Sequence, residues 1–144
     1  MIEQDTVKLL RECDAGVQMG ISSIDEVLDN IQNDVLRQLL IDCKNEHIKL
    51  VHKIQALLDR YHDTGKAPNP MAKGMSWIKT NVKLAVEDSD GTVADLMTDG
   101  CSMGVKSLSR YLNQYAAADE ECKDIAKSLV RIEEQLMKDL RNYL

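Results

Sequence analysis

Apolar residues recur along the chain at alternating steps of three and four, the spacing of one face of an α-helix. Four such stripes can be followed, and no segment alternates apolar and polar residues as a strand does. The stripes comprise Leu10, Cys13, Val17, Ile21, Ile24 and Leu28; Leu36, Leu40, Cys43, His47, Leu50, Ile54, Leu57 and Tyr61; Val93, Met97, Gly104, Leu108, Tyr111 and Tyr115; and Cys122, Ile125, Leu129, Ile132, Leu136 and Leu140. We therefore predict an all-α protein.

Polar segments separate the stripes and predict where the helices begin and end. The sequence DNIQND at 29–34 marks the end of the first helix. Asp5, Asp90 and Asp119 are predicted N-caps of the first, third and fourth helices, because a side-chain oxygen there can accept a free backbone N–H. The connections before the second and fourth helices are short, which favours antiparallel neighbours.

The connection between the second and third stripes is longer. It contains Gly65, Pro68 and Pro70, followed by a short amphipathic piece that carries Trp77. We predict a single domain over residues 1–144: an antiparallel up-down four-helix bundle with a short extra helix between helices 2 and 3.

Composition narrows the class of protein. The 144 residues include no Phe, one Trp and four Tyr, so the core is aliphatic, as packed helices favour. The net charge of −6 argues against a nucleic-acid partner. No apolar run approaches the roughly 20 residues that span a membrane, and the acidic N-terminus is unlike a signal peptide. We expect a cytoplasmic protein with reduced cysteines.

The second stripe places His47 in an apolar slot, beside Glu46. Heights along the bundle follow from a rise of about 1.5 Å per residue, counted from an end that residues 30 and 117 are expected to share. One layer near mid-bundle then contains a histidine, a glycine and several carboxylates: Asp14, Glu46, His47, Gly104 and Glu133. On the same scale Cys13 and Cys101 lie at about the same height, which leaves a contact between them open, whereas the spread of all four cysteines, including Cys43 and Cys122, excludes a four-thiolate site.

The layout resembles the ferritin-like superfamily, specifically the small bacterial rubrerythrin-like four-helix bundles. The resemblance lies in the long first and second helices, the loop GKAPNP, the short helix SWIKTNVK and the third-helix segment DLMTDGCSMGVKSLSRY. It implies the fold named above and a carboxylate-bridged di-iron centre. Such a centre needs a glutamate from each of two helices and Glu-x-x-His from each of the other two.

The residues depart from that di-iron pattern. Glu46 is followed three positions later by Lys49, and Glu133 by Leu136, where the motif has histidine. Gly104 occupies the third-helix position at which a ligand glutamate is expected. A protonated lysine, a leucine and a glycine offer no side-chain metal donor. The ligand motifs are therefore degenerate.

Two interpretations of the His47 layer remain open. In the first, a core histidine bonded to a neighbouring acid forms a polar layer that fixes helix register. In the second, a reduced metal site for iron, manganese or zinc uses His47, Glu46, Glu133 and Asp14. His52 faces away from the stripe, and His62 sits at a helix end where a cation suits the dipole.

Other enzyme signatures are missing: no glycine-rich phosphate loop follows a strand, and no serine has a persuasive His and Asp partner. Our leading hypothesis is a non-catalytic bundle that acts by association with itself, as a dimer, or with another protein. The alternatives are the metal-binding or redox protein above and a small-molecule pocket opened by Gly100 and Gly104. Candidate contact residues are Met71, Met75, Trp77, Tyr111 and Tyr115.

Overall fold

The computed structural model describes residues 2–63 and 89–144, which form four α-helices and no strand within those ranges. The helices are α1 Ile2–Leu28, α2 Asp34–Arg60, α3 Ser89–Gln114 and α4 Glu120–Leu140, followed by a 3-10 turn at Arg141–Tyr143. The predicted all-α class with four helices is confirmed. The predicted extra helix and its Gly/Pro linker fall in 64–88, outside the described residues.

The turn between α1 and α2 is held by polar side chains. Asn33 is the N-cap of α2, and its side-chain oxygen accepts from the backbone N–H groups of Val35 and Leu36 at 2.9 and 3.0 Å. The Arg37 guanidinium donates to the carbonyl of Leu28, the last residue of α1, at 2.9 Å. Free backbone groups at both helix ends therefore have partners, and the two helices form a hairpin.

The turn between α3 and α4 packs against the start of α1. Asp119 is the N-cap of α4, as predicted, and accepts from the N–H of Cys122 at 2.8 Å. Its own N–H donates to the hydroxyl of Thr6, and the N–H of Ala117 donates to the Asp5 carboxylate. The prediction that Asp5 caps α1 is wrong, because α1 already begins before it; Asp5 instead accepts from the distant turn.

The opposite end of the bundle joins the α1–α2 turn to the start of α3. The Asp90 carboxylate accepts from the backbone N–H groups of Gln32 and Asn33 at 2.8 and 3.1 Å. Asp90 was predicted to cap α3, but it lies inside the first turn of that helix. Far from this end, the Tyr61 hydroxyl donates to Asp119 at 3.2 Å.

These contacts fix the directions of α2 and α3. Both helices begin at the Asp90 end, and α2 finishes at the end where the α3–α4 turn lies. They therefore run in the same direction, so the predicted strict up-down alternation fails between them. The two chain ends that residues 64–88 join, Asp63 and Ser89, lie at opposite ends of the bundle.

The described interior contains two hydrophobic clusters, each built from all four helices. The cluster at the Asp90 end comprises Ile24, Val27, Ile31, Leu36, Leu40, Cys43, Val93, Ala94, Leu96, Met97, Cys101, Leu136 and Leu140. The cluster at the Asp119 end comprises Leu9, Leu10, Cys13, Val17, Leu50, Ile54, Leu57, Leu58, Leu108, Ala118, Cys122, Ile125, Ala126 and Leu129. A layer of different character separates them.

Candidate functional site: a buried histidine–glutamate layer

His47 is the central residue of α2, and its side chain points inward, as the stripe predicted. It is only 2% exposed. Its Nδ1 lies 2.8 Å from the backbone carbonyl oxygen of Cys43, one turn earlier. A carbonyl only accepts hydrogen bonds, so Nδ1 carries a proton and donates. The local helix geometry therefore orients the ring and directs Nε2 toward the bundle axis.

Glu133 of α4 faces this imidazole. Its Oε1 is 4.0 Å from His47 Nε2, and the residue is 9% exposed. Among the described residues, His47 Nε2 and Glu133 Oε2 are two of three fully buried side-chain atoms without a hydrogen-bond partner. The stripe had placed Ile132 inward at this level, but Ile132 is only partly buried and Glu133 takes the interior position.

Two glycines make room for this pair. A Cβ atom at Gly20 of α1 would lie 2.6 Å from His47 Nε2, closer than side chains approach. A Cβ at Gly104 of α3 would collide with Glu133 Oε2 and stand 2.9 Å from its Cδ. One alternative from the sequence was that Gly104 helps to open a small-molecule pocket, whereas the group it admits is the Glu133 carboxylate. Gly20 was not singled out from the sequence, although it is a mid-helix glycine on the inner side of its stripe.

The four residues occupy equivalent places on the four helices. On each helix, one member of each hydrophobic cluster flanks the layer residue within a turn: Val17 and Ile24 around Gly20, Cys43 and Leu50 around His47, Cys101 and Leu108 around Gly104, Leu129 and Leu136 around Glu133. Hence α2 and α4 each supply a polar side chain, and α1 and α3 each supply the space for one. We call this set, Gly20, His47, Gly104 and Glu133, the mid-bundle layer.

The electrostatics of the pair follow from its burial. Burial lowers the pKa of His47, but the interactions with Cys43 and with the Glu133 carboxylate outweigh it and raise that pKa to about 10. Burial raises the pKa of Glu133, an effect partly opposed by His47. Because Nδ1–H is committed to Cys43, a charged imidazole presents Nε2–H to the carboxylate. Both groups thus hold protons more tightly than they would in water.

Two predicted members of the layer lie elsewhere. Asp14 is buried, but it accepts from the side-chain amides of Gln18 and Gln55, each at 3.0 Å. Gln55 is eight residues beyond His47, which is roughly 12 Å along the helix axis. Glu46 is exposed and pairs with Lys49 at 3.2 Å. The structure therefore brings together His47, Glu133 and Gly104 of the predicted set, and separates Asp14 and Glu46 from them.

The cysteines show why the predicted heights failed. Cys13 and Cys122 belong to one hydrophobic cluster and Cys43 and Cys101 to the other, so the predicted shared height of Cys13 and Cys101 is wrong. The predicted heights were based on residues 30 and 117 lying at the same end of the bundle. The α1–α2 turn, which contains residue 30, and the α3–α4 turn, which contains residue 117, lie at opposite ends. All four thiols are free and buried. Burial raises the pKa of Cys101, with Glu133 and Cys43 adding to it, and raises that of Cys122 to about 12.

The remaining candidates lie outside the layer. His52 and His62 are exposed, and His62 closes α2 with a left-handed φ of 57°. A Cβ atom at Gly100 would meet no atom of the described residues within 4 Å beyond its own helix. Tyr111 and Tyr115 stack on each other and are half-buried. Met71, Met75 and Trp77 fall outside the described residues.

A shallow groove runs between α2 and α4 near the Asp119 end. Its floor is apolar and includes Leu57 and Ile125. Exposed Lys53 and Arg60 border it on α2, whereas exposed Glu121 and Asp124 border it on α4. Arg60 and Glu121 form an exposed ion pair at 3.5 Å across the groove. The α2 border is therefore basic and the α4 border acidic.

Within residues 2–63 and 89–144, no three or more His, Cys, Asp or Glu side chains are grouped to hold a metal ion. The helices in these ranges include none long and apolar enough to cross a membrane.

Comparison with known proteins defines the fold class only. The chain matches no described protein family and no curated protein. Among solved structures, the crystal structure of a DUF305 fragment from Deinococcus radiodurans is similar, with a TM-score of 0.77 and 16% identity. The match covers 96% of this chain and 93% of that one. At this identity the likeness shows a shared all-helical, four-helix fold.

Proposed function

We propose that this protein is a non-catalytic bundle of the ferritin-like arrangement that acts by association with a second copy of itself. The arrangement is supported by the parallel course of α2 and α3, since a ferritin-like bundle has one long crossover connection. The backbones of Gly20 and Gly104 pack closely against the interior polar pair, which supports a structural rather than a catalytic role for it.

The observation that carries the association is the charge pattern of the α2–α4 groove. A two-fold axis parallel to these helices sets α2 of one copy against α4 of the other at the same height. Lys53 and Arg60 then face Glu121 and Asp124 of the second copy, along both borders. The Arg60–Glu121 pair within one chain is exposed on both sides, so exchanging its partner costs little. Such complementarity favours one orientation of the partner.

Sedimentation velocity of charge-reversal variants tests this arrangement. The double variant Lys53→Glu/Arg60→Glu makes both borders acidic, and Glu121→Lys/Asp124→Lys makes both basic. We expect each alone to dimerise about a hundredfold more weakly than the natural chain, since facing like charges cost several kcal/mol. An equimolar mixture of the two restores the dimer. The natural chain provides the reference.

The matched control is Lys106→Glu/Arg110→Glu, which makes the same charge change at exposed positions of α3. If the groove is the interface, this control variant dimerises as strongly as the natural chain. A natural chain that sediments as a monomer at high micromolar concentration contradicts the proposal. So does an equal loss of dimer in the control, because that outcome assigns the effect to net charge.

A metal-binding function is the second candidate, favoured by two buried donor atoms without a partner among the described residues, His47 Nε2 and Glu133 Oε2. Two protein donors fall short of the three that catalytic zinc sites use, and Glu46 and Asp14 are too distant to add more. Metal analysis of protein grown with iron, manganese and zinc tests it. A full equivalent of metal that His47→Ala removes would replace our proposal.

A further inference from the structure

The mid-bundle layer divides the interior into two hydrophobic clusters that share none of their fully buried members. Cooperative unfolding depends on contiguous packing, because each buried side chain stabilises those it contacts. At the layer α1 and α3 contribute no side chain at all. The other two helices contribute a polar pair, His47 and Glu133, in which the imidazole Nε2 and the carboxylate Oε2 have no hydrogen-bond partner among the described residues.

Apolar contact across the layer is limited. Among the described residues, half-buried Ile132 is the side chain that packs against both clusters. Each half is also closed separately at its own end. Asp90 bonds the α1–α2 turn at one end, and Asp5 and Thr6 bond the α3–α4 turn at the other. Each half thus has its own hydrophobic core and its own set of hydrogen bonds that hold the turn at its end.

We infer that the mid-bundle layer is a plane of weak coupling, across which the two halves of the bundle open independently. The half at the Asp90 end and the half at the Asp119 end are separate opening units of one folded chain. Mid-helix glycines favour the layer as the boundary, because glycine is a poor helix former and both lie in that plane. This inference concerns the fold alone and does not rest on the proposed association.

Two matched core truncations test the inference. Leu129 and Leu136 lie on the same helix, on either side of Glu133, and are 0% and 4% exposed. Native-state hydrogen exchange would be measured in the natural chain and in Leu129→Ala and Leu136→Ala. We expect Leu129→Ala to lower amide protection at least about tenfold in the Asp119 half and less than about twofold in the other. Leu136→Ala gives the reverse pattern.

A single cooperative unit behaves differently. If the halves open together, either truncation lowers the protection of the slowest amides by the same factor in both halves, which overturns the inference. If an alanine variant does not fold, the same hydrogen-exchange comparison is made with Leu129→Val and Leu136→Val, which remove less side-chain volume. Far-UV circular dichroism establishes folding before exchange begins.

Discussion

Two carboxylates are buried in the described interior, and the bundle stabilises them in different ways. Asp14, 1% exposed, accepts from two neutral amides, those of Gln18 and Gln55. Glu133 faces an imidazole at 4.0 Å, and its Oε2 has no partner among the described residues. A carboxylate surrounded by amide donors is satisfied without another ionisable group. Glu133 depends on the charge of His47, so it is the more fragile of the two.

The largest expected effect on stability comes from removing one member of the His47–Glu133 pair. His47→Leu leaves Glu133 buried without its cation, and we expect a loss of about 3–5 kcal/mol in the free energy of unfolding. The double variant His47→Leu/Glu133→Leu joins the hydrophobic clusters and is expected to lie near the natural chain in stability. Urea unfolding measures both, together with the second single variant, Glu133→Leu. If the two single losses simply add in the double variant, the residues do not act as a pair.

The second largest expected effect is a change of stability with pH, because the His47–Glu133 pair is stabilised by bound protons. The folded-state pKa of His47, about 10, is above its ordinary value of 6.5, so its contribution is complete below pH 6.5. It is lost as the pH rises through about 10. The raised pKa of Glu133 acts in the same direction, since the folded state again holds the proton more tightly. We expect the natural chain to lose a few kcal/mol over this range.

The double leucine variant is the reference for this measurement. It keeps the buried cysteines, whose raised pKa values also reduce stability at alkaline pH. Urea unfolding of both proteins at pH 6, 8 and 10 gives a stability difference that should shift steadily against the natural chain. A difference independent of pH would mean that His47 does not change its protonation on unfolding.

The contacts of Gly104 predict a smaller effect on stability, whose sign depends on whether Glu133 is present. Gly104→Ala forces the Glu133 carboxylate from its place, and we expect a loss of about 2 kcal/mol. In a Glu133→Ala background the same substitution should stabilise by about 1 kcal/mol, because alanine favours the helix.

Gly100→Ala is the control on the same helix. Since a Cβ atom there would meet no described residue within 4 Å beyond its own helix, Gly100→Ala should stabilise the protein by about 1 kcal/mol in both backgrounds. Thermal and urea unfolding distinguish these cases. A Gly104→Ala effect of the same sign in both backgrounds would show that Glu133 does not need the space.

The smallest expected effect is at the other carboxylate. Asp14→Asn keeps the shape, and either glutamine can rotate its amide to present an oxygen to the new NH2 group. We expect a loss of about 1 kcal/mol. The matched substitution Glu133→Gln should cost about 3 kcal/mol, since it leaves a charged imidazole unpaired. Equal losses, measured by urea unfolding, would remove the distinction between the two sites.

Much of the fold followed from periodicity. The second stripe is buried from Leu36 to Leu57, and α2 begins at Asp34, the last residue of the predicted break. The site followed only in part. His47 and Glu133 do meet, although the heights were counted from the wrong end. His47 is the central residue of its helix, and reversing the direction of one hairpin displaces mid-bundle residues least. Cys13 and Cys122 lie farther from the middle, so the same error separated Cys13 from its actual neighbour, Cys122.

The amino-acid sequence by itself determined the four helices, the inward face of each except at Glu133 of α4, and the presence of one histidine among aliphatic side chains. These are local properties, because the helical period of 3.6 residues states which face is apolar. Only the tertiary structure decided which turns share an end, the height of each residue and the partner of each buried carboxylate. A seven-residue repeat looks the same after a shift of two turns, so the pattern does not specify height. The packing of Gly20 and Gly104 against the polar pair selects one height, because at any other a Cβ atom or an unpaired charge would be buried there.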